Sequence, residues 1–231
     1  MQDQAPCLFP AHQDPGSYKD LPGRIQCILG RLQHWIENDI AASKLELGRP
    51  GDVCPYVRSG ITRHRSIHFA PYFEKPLRFD PMVAFTRDLL GIFEEVEPSE
   101  GTGVEFKALI AVFAELDAAL APSLIDAVQI FLKREVIRKG RMIGQFYPGC
   151  TEPGLHNPDF RPLESPYPLL VLRPMQLTDL QFLTAVPEFL QAYCDYFEIH
   201  SRADLEARLE KAGIDKLPDL WAESRRKAFG S

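Results

Sequence analysis

The sequence predicts an α+β fold, with a single mixed β-sheet, helices packed on that sheet and a C-terminal helical tail. The main observation is that segments with a strand pattern alternate with segments that have the 3–4 spacing of amphipathic helices. A second observation makes the sheet mixed. The predicted strands 141–147 and 168–173 are separated only by a loop and can pair antiparallel. Elements in this order indicate one sheet covered by helices.

Local patterns place the elements of the N-terminal half. Residues 1–17 are rich in proline and polar side chains, so we expect a flexible arm. Residues 18–44 predict a helix because apolar side chains recur at positions 25, 28, 29, 32, 35 and 36. Residues 66–73 alternate and predict a strand. Asp80 is a favourable N-cap and Pro81 a favourable first residue for a helix that continues to residue 95.

The C-terminal half continues the alternation. Residues 104–113 begin alternating and become continuously apolar, as in a central strand. A helix over residues 118–139 ends in a basic turn, with Gly140 as its C-terminal cap. The two adjacent strands follow, then a helix over 178–197 in which Pro187 starts a second segment. Helices at 205–212 and 217–229 form the tail, so residues 18–231 are expected to be one domain with a tail at 201–231.

Composition and charge exclude several classes of partner. The chain has 231 residues, of which 45% are hydrophobic, so it can bury an ordinary core. A net charge of −6 and a pI near 5.6 argue against nucleic acid and anionic membranes as partners. No apolar run approaches the roughly 20 residues that span a bilayer, and the N-terminus lacks the pattern of a secretory signal. We therefore expect a cytoplasmic protein, and the sequence leaves a homodimer open.

Familiar catalytic and metal-binding motifs are missing from the sequence. The five cysteines are widely spaced and include no C-x-x-C pair, which argues against a structural zinc site or a thioredoxin-type redox pair. The chain also contains no G-x-S-x-G, P-loop, G-x-G-x-x-G after a strand, or H-E-x-x-H motif. No motif fixes a reaction class.

The best candidate site lies in the long loop between the two adjacent strands. Six prolines at positions 148, 153, 158, 162, 166 and 168 stiffen it, and rigid long loops concentrate binding and catalytic groups. His156 offers a base or a metal ligand, and Arg161 offers a bidentate clamp for a carboxylate. The alternative is that His156 only caps the loop. Arg173, at the end of an apolar strand, is either an ion-pair partner of Asp179 or a site residue that suits an anionic cofactor or substrate.

Two further candidates lie before residue 70. Cys54, in the sequence VCPY, is similar to the Cys-Pro-aromatic triplet of haem-thiolate regulatory motifs, but we expect a buried, unpaired thiol under a turn. His64 and His68 would form a metal pair on a helix, whereas the local pattern favours a turn and a strand. In the loop, we expect His156 and Arg161 to point into a pocket shared with Arg173.

Three segments carry a resemblance to a bacterial family of domains of unknown function. They are LGRPGDVCPYV at 47–57, GRMIGQFYPGCTEPGLHNPDFRPLESPYPLLVLRPM at 140–175, and DLQFL at 179–183. The likeness covers most of the chain, and its middle segment is the most specific. The resemblance implies a role near biosynthetic gene clusters, where members of this family often occur.

The chain also resembles the YqcI/YcgG group of small haem-dependent N-oxygenases. Residues 54–56 look like the early Cys-Pro-aromatic turn of that group, His156 with Arg161 like its Pro-x-His-x-x-Arg loop, and residues 168–173 like its last strand. The group's doubled Arg-Arg-Ser-Arg is reduced here to Arg161 and a distant Ser165. The resemblance implies haem as cofactor, with Cys54 near it, His156 as the axial iron ligand, and Arg161 and Arg173 holding haem propionates or a substrate carboxylate. His64 and His68 are rival ligands because they lie close to the Cys54 turn in the sequence.

The resulting expectation is a haem-dependent oxygenase-like enzyme that acts on a small amine or amino acid in specialised metabolism. Its substrate would carry a carboxylate or an amine. Two alternatives stay open. One is a non-catalytic binding or scaffold module whose proline-rich loop recognises a biosynthetic partner. The other is a transferase or hydrolase that uses Cys54 or Cys150 with His156.

Overall fold

The structure is a computed structural model that describes residues 6–12 and 18–211. The strands are β1 (Phe9–Pro10), β2 (Ile67–Pro71), β3 (Ala108–Val112), β4 (Arg141–Phe146) and β5 (Leu169–Pro174). The α-helices are α1 (Gly23–Trp35), α2 (Val57–Thr62), α3 (Phe79–Gly91), α4 (Ala121–Arg138), α5 (Pro187–Tyr196) and α6 (Arg202–Lys211). Residues 147–168, between β4 and β5, form the proline-rich loop.

The strands form one mixed sheet in the order β1-β2-β3-β5-β4, which confirms the predicted fold class. Strand β2 runs parallel to β3, with α3 in the connection between them, while β1 runs antiparallel to β2 and β5 runs antiparallel to β3. Strand β1 was not predicted because it is only two residues long, too short to show a pattern of alternation. It adds an edge to the sheet through the pairing of Phe9 with Phe69.

One face of the sheet packs against α1. The side chains that α1 buries recur at the predicted 3–4 spacing because one side of a helix repeats every 3.6 residues. The residues of this core include Ile28, Leu29 and Leu32 of α1, Ile67 and Phe69 of β2, Ile110 and Val112 of β3, and Leu169 of β5. This packing fixes α1 on the sheet, so the opposite side of the helix is left for other uses.

The other face of the sheet contacts α3. The ring of Phe85 lies 6.1 Å from that of Phe113, edge to face. Lys107 is buried and donates hydrogen bonds of 2.7 and 2.9 Å to the carbonyls of Phe93 and Val96, just beyond α3. A buried ammonium is stable only when such acceptors surround it.

Several helix boundaries differ from the predicted ones. The first helix does not continue to residue 44: it changes into a π-helix at Ile36–Ile40, where the amide of Ala41 donates to the carbonyl of Ile36. Residues 104–106 form a 3-10 turn rather than the start of a strand. Pro187 begins α5, as predicted, after a separate 3-10 helix at Leu177–Phe182. The predicted helix at 217–229 lies outside the described residues.

The chain divides into two compact units. The first contains residues up to Leu132 together with Ile143–Arg173. The second contains Lys133–Met142 and the described residues from Pro174 to Lys211, and it has its own apolar core, which includes Leu183, Leu190 and Tyr193. Within residues 6–12 and 18–211, no helix is long and apolar enough to cross a membrane.

Candidate functional site

A groove of about 820 Å³ lies in the first unit, between α1 and the proline-rich loop. We call it the α1 groove. Its volume falls in the range of small-molecule sites, roughly 300–1,000 Å³. Residues from α1 and the segment after it form one wall: Gln26, Cys27, Gly30, Arg31, His34, Trp35, Asp39, Ile40, Lys44, Glu46 and Val53. The proline-rich loop forms the other: Phe160, Arg161, Pro162, Glu164, Ser165 and Pro166.

The α1 wall is the helix side that does not face the sheet. Its groove-lining residues recur at positions 26, 27, 30, 31 and 34, which places them on one side of a helix with 3.6 residues per turn. The side-chain nitrogen of Asn38 lies 3.3 Å from Nδ1 of His34 and donates a hydrogen bond of 2.9 Å to the backbone carbonyl of His34.

The π-helix continues this wall beyond Trp35. Short π-helical turns inside α-helices are uncommon and are frequently found at functional sites. Here the π-helix supplies Asp39 and Ile40 to the groove. The carbonyl of Ile40 accepts the amide of Cys54 at 3.0 Å, so the π-helix is tied to the segment that carries Val53.

The loop wall is held in place by contacts to the α1 side. The indole of Trp35 donates to the carbonyl of Glu164 at 3.0 Å, and the Asn157 amide donates to the carbonyl of Glu46 at 2.7 Å. Gly48 has a positive φ of 77°, and a Cβ atom there would lie 3.0 Å from the carbonyl oxygen of His156. Only glycine allows both the backbone angle and this close approach. The groove is therefore pre-formed.

Charges of both signs line the groove in equal number. The basic residues are Arg31, Lys44 and Arg161, and the acidic residues are Asp39, Glu46 and Glu164. Lys44 and Asp39 pair with each other at 2.9 Å. Among the described residues, the guanidinium of Arg31 and the carboxylates of Glu46 and Glu164 have no ionic partner.

Arg161 is the predicted site residue that the groove contains. It is half-buried, and its Nη1 donates to the carbonyls of Pro158 and Phe160. No described residue accepts a hydrogen bond from its Nε or Nη2. The backbone therefore holds one nitrogen of the guanidinium, and the other two remain available to a carboxylate.

The three predicted loop and strand residues do not come together in the groove. The side chain of His156 is exposed, and the residue lies in the loop segment 154–160, which is closed by a hydrogen bond from the amide of Gly154 to the carbonyl of Phe160. Arg173 is half-buried in β5 and does not line the groove. Of the three residues that we expected to share a pocket, His156, Arg161 and Arg173, only Arg161 lines the α1 groove. A role of His156 as a ligand stays a prediction.

Cys54 is half-buried rather than fully buried, and it packs against the α1 core instead of lining the groove.

Two arginines, Arg49 and Arg58, hold the segment around Cys54 in place. The guanidinium of Arg58 makes two hydrogen bonds to the carboxylate of Asp52, at 2.7 and 2.9 Å, and another to the carbonyl of Ala41. This pairing holds the pKa of Asp52 below its usual value. Arg49 donates to the carbonyls of Asp52 and Val53, so these arginines shape the turn.

The rival histidines lie elsewhere in the first unit. The ring of His64 stacks on Phe106 at 4.6 Å, and His68 is half-buried in β2. Their interpretation as a turn and a strand residue agrees with their positions after α2 and within β2. Within the described part of the chain, no group of three or more His, Cys, Asp or Glu side chains is arranged to hold a metal ion.

Cys150 is buried beside Tyr147, whose carbonyl accepts a hydrogen bond from the Cys150 amide at 3.2 Å. The hydroxyl of Tyr147 lies 3.3 Å from Oδ2 of Asp126. Burial, followed by the contact with the Cys150 thiol, raises the pKa of Tyr147. Burial also raises the pKa of Asp126. Cys150 is 1% exposed, so almost none of its surface is accessible to solvent.

The α1 residues of the groove were missed by sequence reasoning. The pattern that predicts this helix is its apolar side, and that pattern carries no information about the use of the polar side opposite. One signal was available: Gly30 interrupts the interior of a helix whose other polar residues include Cys27, Arg31 and His34.

The comparisons with known proteins give the family. No curated protein matches the chain. No solved structure matches it either. The family described as "Domain of unknown function (DUF6875)" matches residues 29–208, a span that contains most of α1, the proline-rich loop and the second unit up to α6. A match over this share of the sequence shows that the chain belongs to the DUF6875 family.

Proposed function

We propose that the α1 groove binds a small molecule that carries both a carboxylate and an amine, such as an amino acid, as the substrate of an enzyme. The observation that supports this proposal is that one pre-formed groove is lined by charges of both signs that have no ionic partner among the described residues. Arg31 and Arg161 supply positive charge, and Glu46 and Glu164 supply negative charge. A zwitterion complements such a surface better than a simple anion or cation does.

Each group of the ligand has a candidate partner. Arg161 offers Nε and Nη2 to the carboxylate, and charge-assisted hydrogen bonds of this kind are the stronger ones. Glu46 or Glu164 offers a carboxylate to the ammonium. The apolar part of the ligand would contact Ile40 and Phe160, in keeping with sites that combine apolar walls and a few polar groups.

Haem-dependent oxygenation of this substrate is our proposal for the reaction. It rests on the resemblance of residues 54–56 and 156–161 to the YqcI/YcgG group. It is also supported by the guanidinium groups of Arg31 and Arg161 in the α1 groove, which suit carboxylates such as haem propionates. Haem would supply iron and oxygen chemistry, and the chain would bind and orient the amine. A non-catalytic binding module would use the same groove without turning its ligand over.

A matched set of three probes tests the proposed ligand class. L-phenylalanine carries both charged groups, 3-phenylpropionate lacks the ammonium, and phenethylamine lacks the carboxylate. The chain has two tryptophans, so Trp221→Phe leaves Trp35, which lines the groove, as the reporter of binding by fluorescence. We expect L-phenylalanine to bind tighter than either analogue.

Substitution of Arg161 tests whether this residue binds the carboxylate of the ligand. Arg161→Gln should weaken L-phenylalanine and 3-phenylpropionate but leave phenethylamine unchanged, because only the first two carry a carboxylate. Arg78→Gln is the control, since Arg78 is exposed and does not line the groove. Equal weak responses to all three probes, or no response, would contradict the proposal.

A further inference from the structure

We infer that Gly30 determines which ligands the α1 groove accepts, because the ligand lies against the bare helix backbone at that position. This inference rests on the proposed function and deepens it. It assigns the apolar part of the ligand to the gap in the α1 wall, which is the space that a side chain at position 30 would fill. The carboxylate of the ligand reaches Arg161 on the opposite wall.

The position of Gly30 is unfavourable for the helix itself. It lies in the interior of α1, a helix of 13 residues that runs from Gly23 to Trp35. Glycine in a helix interior is about fivefold less favourable than alanine in terms of the equilibrium constant, because the unfolded chain has more conformations to lose. Some other feature must therefore account for a glycine at this site.

Packing within the protein does not account for it. A Cβ atom built at position 30 meets no heavy atom within 4 Å. Gly60, in the interior of α2, is the contrasting case, because a Cβ there would lie 2.8 Å from the carbonyl oxygen of Phe106 and 2.9 Å from Cδ1 of Ile67. The fold requires glycine at position 60 and leaves open space at position 30.

That open space belongs to the groove. Gly30 lines it between Cys27 and His34, the neighbouring residues on the same side of α1. Phe160 and Arg161 line the groove from the loop. A glycine is the residue that lets a ligand approach a backbone most closely. The gap therefore accepts the bulk of an amino-acid side chain next to the helix, with the polar neighbours on either side.

The test uses the full chain with Trp221→Phe and adds Gly30→Ala, Gly30→Leu or Gly91→Ala. Gly91 is the last residue of α3, and a Cβ there also meets nothing within 4 Å, so Gly91→Ala is the control for the effect of a glycine-to-alanine change. We expect Gly30→Ala to raise the thermal midpoint by about 3 °C, because a better helix former replaces glycine. The same variant should bind L-phenylalanine about tenfold more weakly, because the added methyl group overpacks the gap.

A leucine at position 30 should weaken binding more than an alanine does, because its side chain fills more of the gap. Gly30→Leu, which keeps a good helix former, should abolish measurable binding of L-phenylalanine. Gly91→Ala should bind it as the parent does. A second readout is alkylation of Cys27 by iodoacetamide: L-phenylalanine should protect this exposed groove thiol in the parent and not in Gly30→Leu. Cys7 is also exposed and does not line the groove, so it serves as the internal reference.

The outcomes distinguish the two proposals. Unchanged affinity in Gly30→Ala and Gly30→Leu, together with loss in Arg161→Gln, would overturn the role of Gly30 and leave the groove as the ligand site. A parent protein that binds no L-phenylalanine would overturn both proposals. A lower thermal midpoint in Gly30→Ala would show that position 30 is needed for folding, which would also overturn the inference.

Discussion

The indole of Trp35 donates a 3.0 Å hydrogen bond to the carbonyl of Glu164, which lies 129 residues further along the chain. This bond joins the end of α1 to the proline-rich loop and so connects the two walls of the α1 groove. The same indole contacts the ring of Phe146 edge to face at 5.6 Å. Trp35 is 6% exposed, so its donor would be costly to leave without a partner.

Trp35→Phe should destabilise the protein and weaken the groove together. The phenyl ring keeps the aromatic contact but leaves the Glu164 carbonyl without its donor. We expect a loss of about 1–3 kcal/mol in the free energy of unfolding, from the lost hydrogen bond and the smaller ring, measured by urea denaturation. Affinity for L-phenylalanine, measured by calorimetry, should also fall. Phe146→Leu is the matched control, because it removes the ring contact and keeps the hydrogen bond. Equal affinity in both variants would contradict a role of the bond in the groove.

A second prediction concerns pH and His68. Burial, followed by the positive charges of His12 and Lys107, lowers the pKa of His68 from its ordinary value of 6.5. The unfolded chain therefore takes up a proton at a higher pH than the folded chain, so stability should fall as the pH drops below about 6.5. His68→Gln should show a flatter dependence of the unfolding free energy between about pH 7 and pH 5. An unchanged slope would mean that His68 is not the group responsible.

A third prediction tests the haem proposal by its colour. If His156 is the axial ligand, haemin added to the purified protein should give a Soret band that His156→Ala abolishes or strongly shifts, whereas His64→Ala and His68→Ala keep it. His34→Ala belongs in the same series, because His34 is the histidine that lines the α1 groove. Loss of the band only in His34→Ala would move the ligand to α1. No band in the parent protein would contradict the haem proposal.

Much of the fold could be predicted because the apolar side chains that an element buries recur at a regular spacing in the sequence. The apolar spacing of Ile28, Leu29 and Leu32 predicted α1, and the continuous apolar run of Ala108–Val112 predicted a central strand. The π-helix that follows the first helix cannot be recognised from this spacing. It keeps Ile36 and Ile40 on the buried side at the usual spacing of four residues, and only the hydrogen bonds differ.

The candidate site could be predicted only in part, for a different reason. The proline-rich loop was identified by its composition, and its Arg161 lines the groove. Glu164 of that loop binds Trp35, which lies 129 residues earlier in the chain, and a single sequence gives no signal of such a long-range contact. His156 looked like a site residue because it is a histidine in a rigid loop. In the folded chain its backbone packs at Gly48 while its side chain is exposed.

A crystal structure of the protein with L-phenylalanine tests the central claim most directly. We predict that the amino acid occupies the α1 groove, with its carboxylate in hydrogen-bond distance of Nε or Nη2 of Arg161. The ammonium should lie at the carboxylate of Glu46 or Glu164, and the ring should contact the backbone at Gly30. L-phenylalanine bound at another site, with the α1 groove open to solvent and empty, would contradict the account.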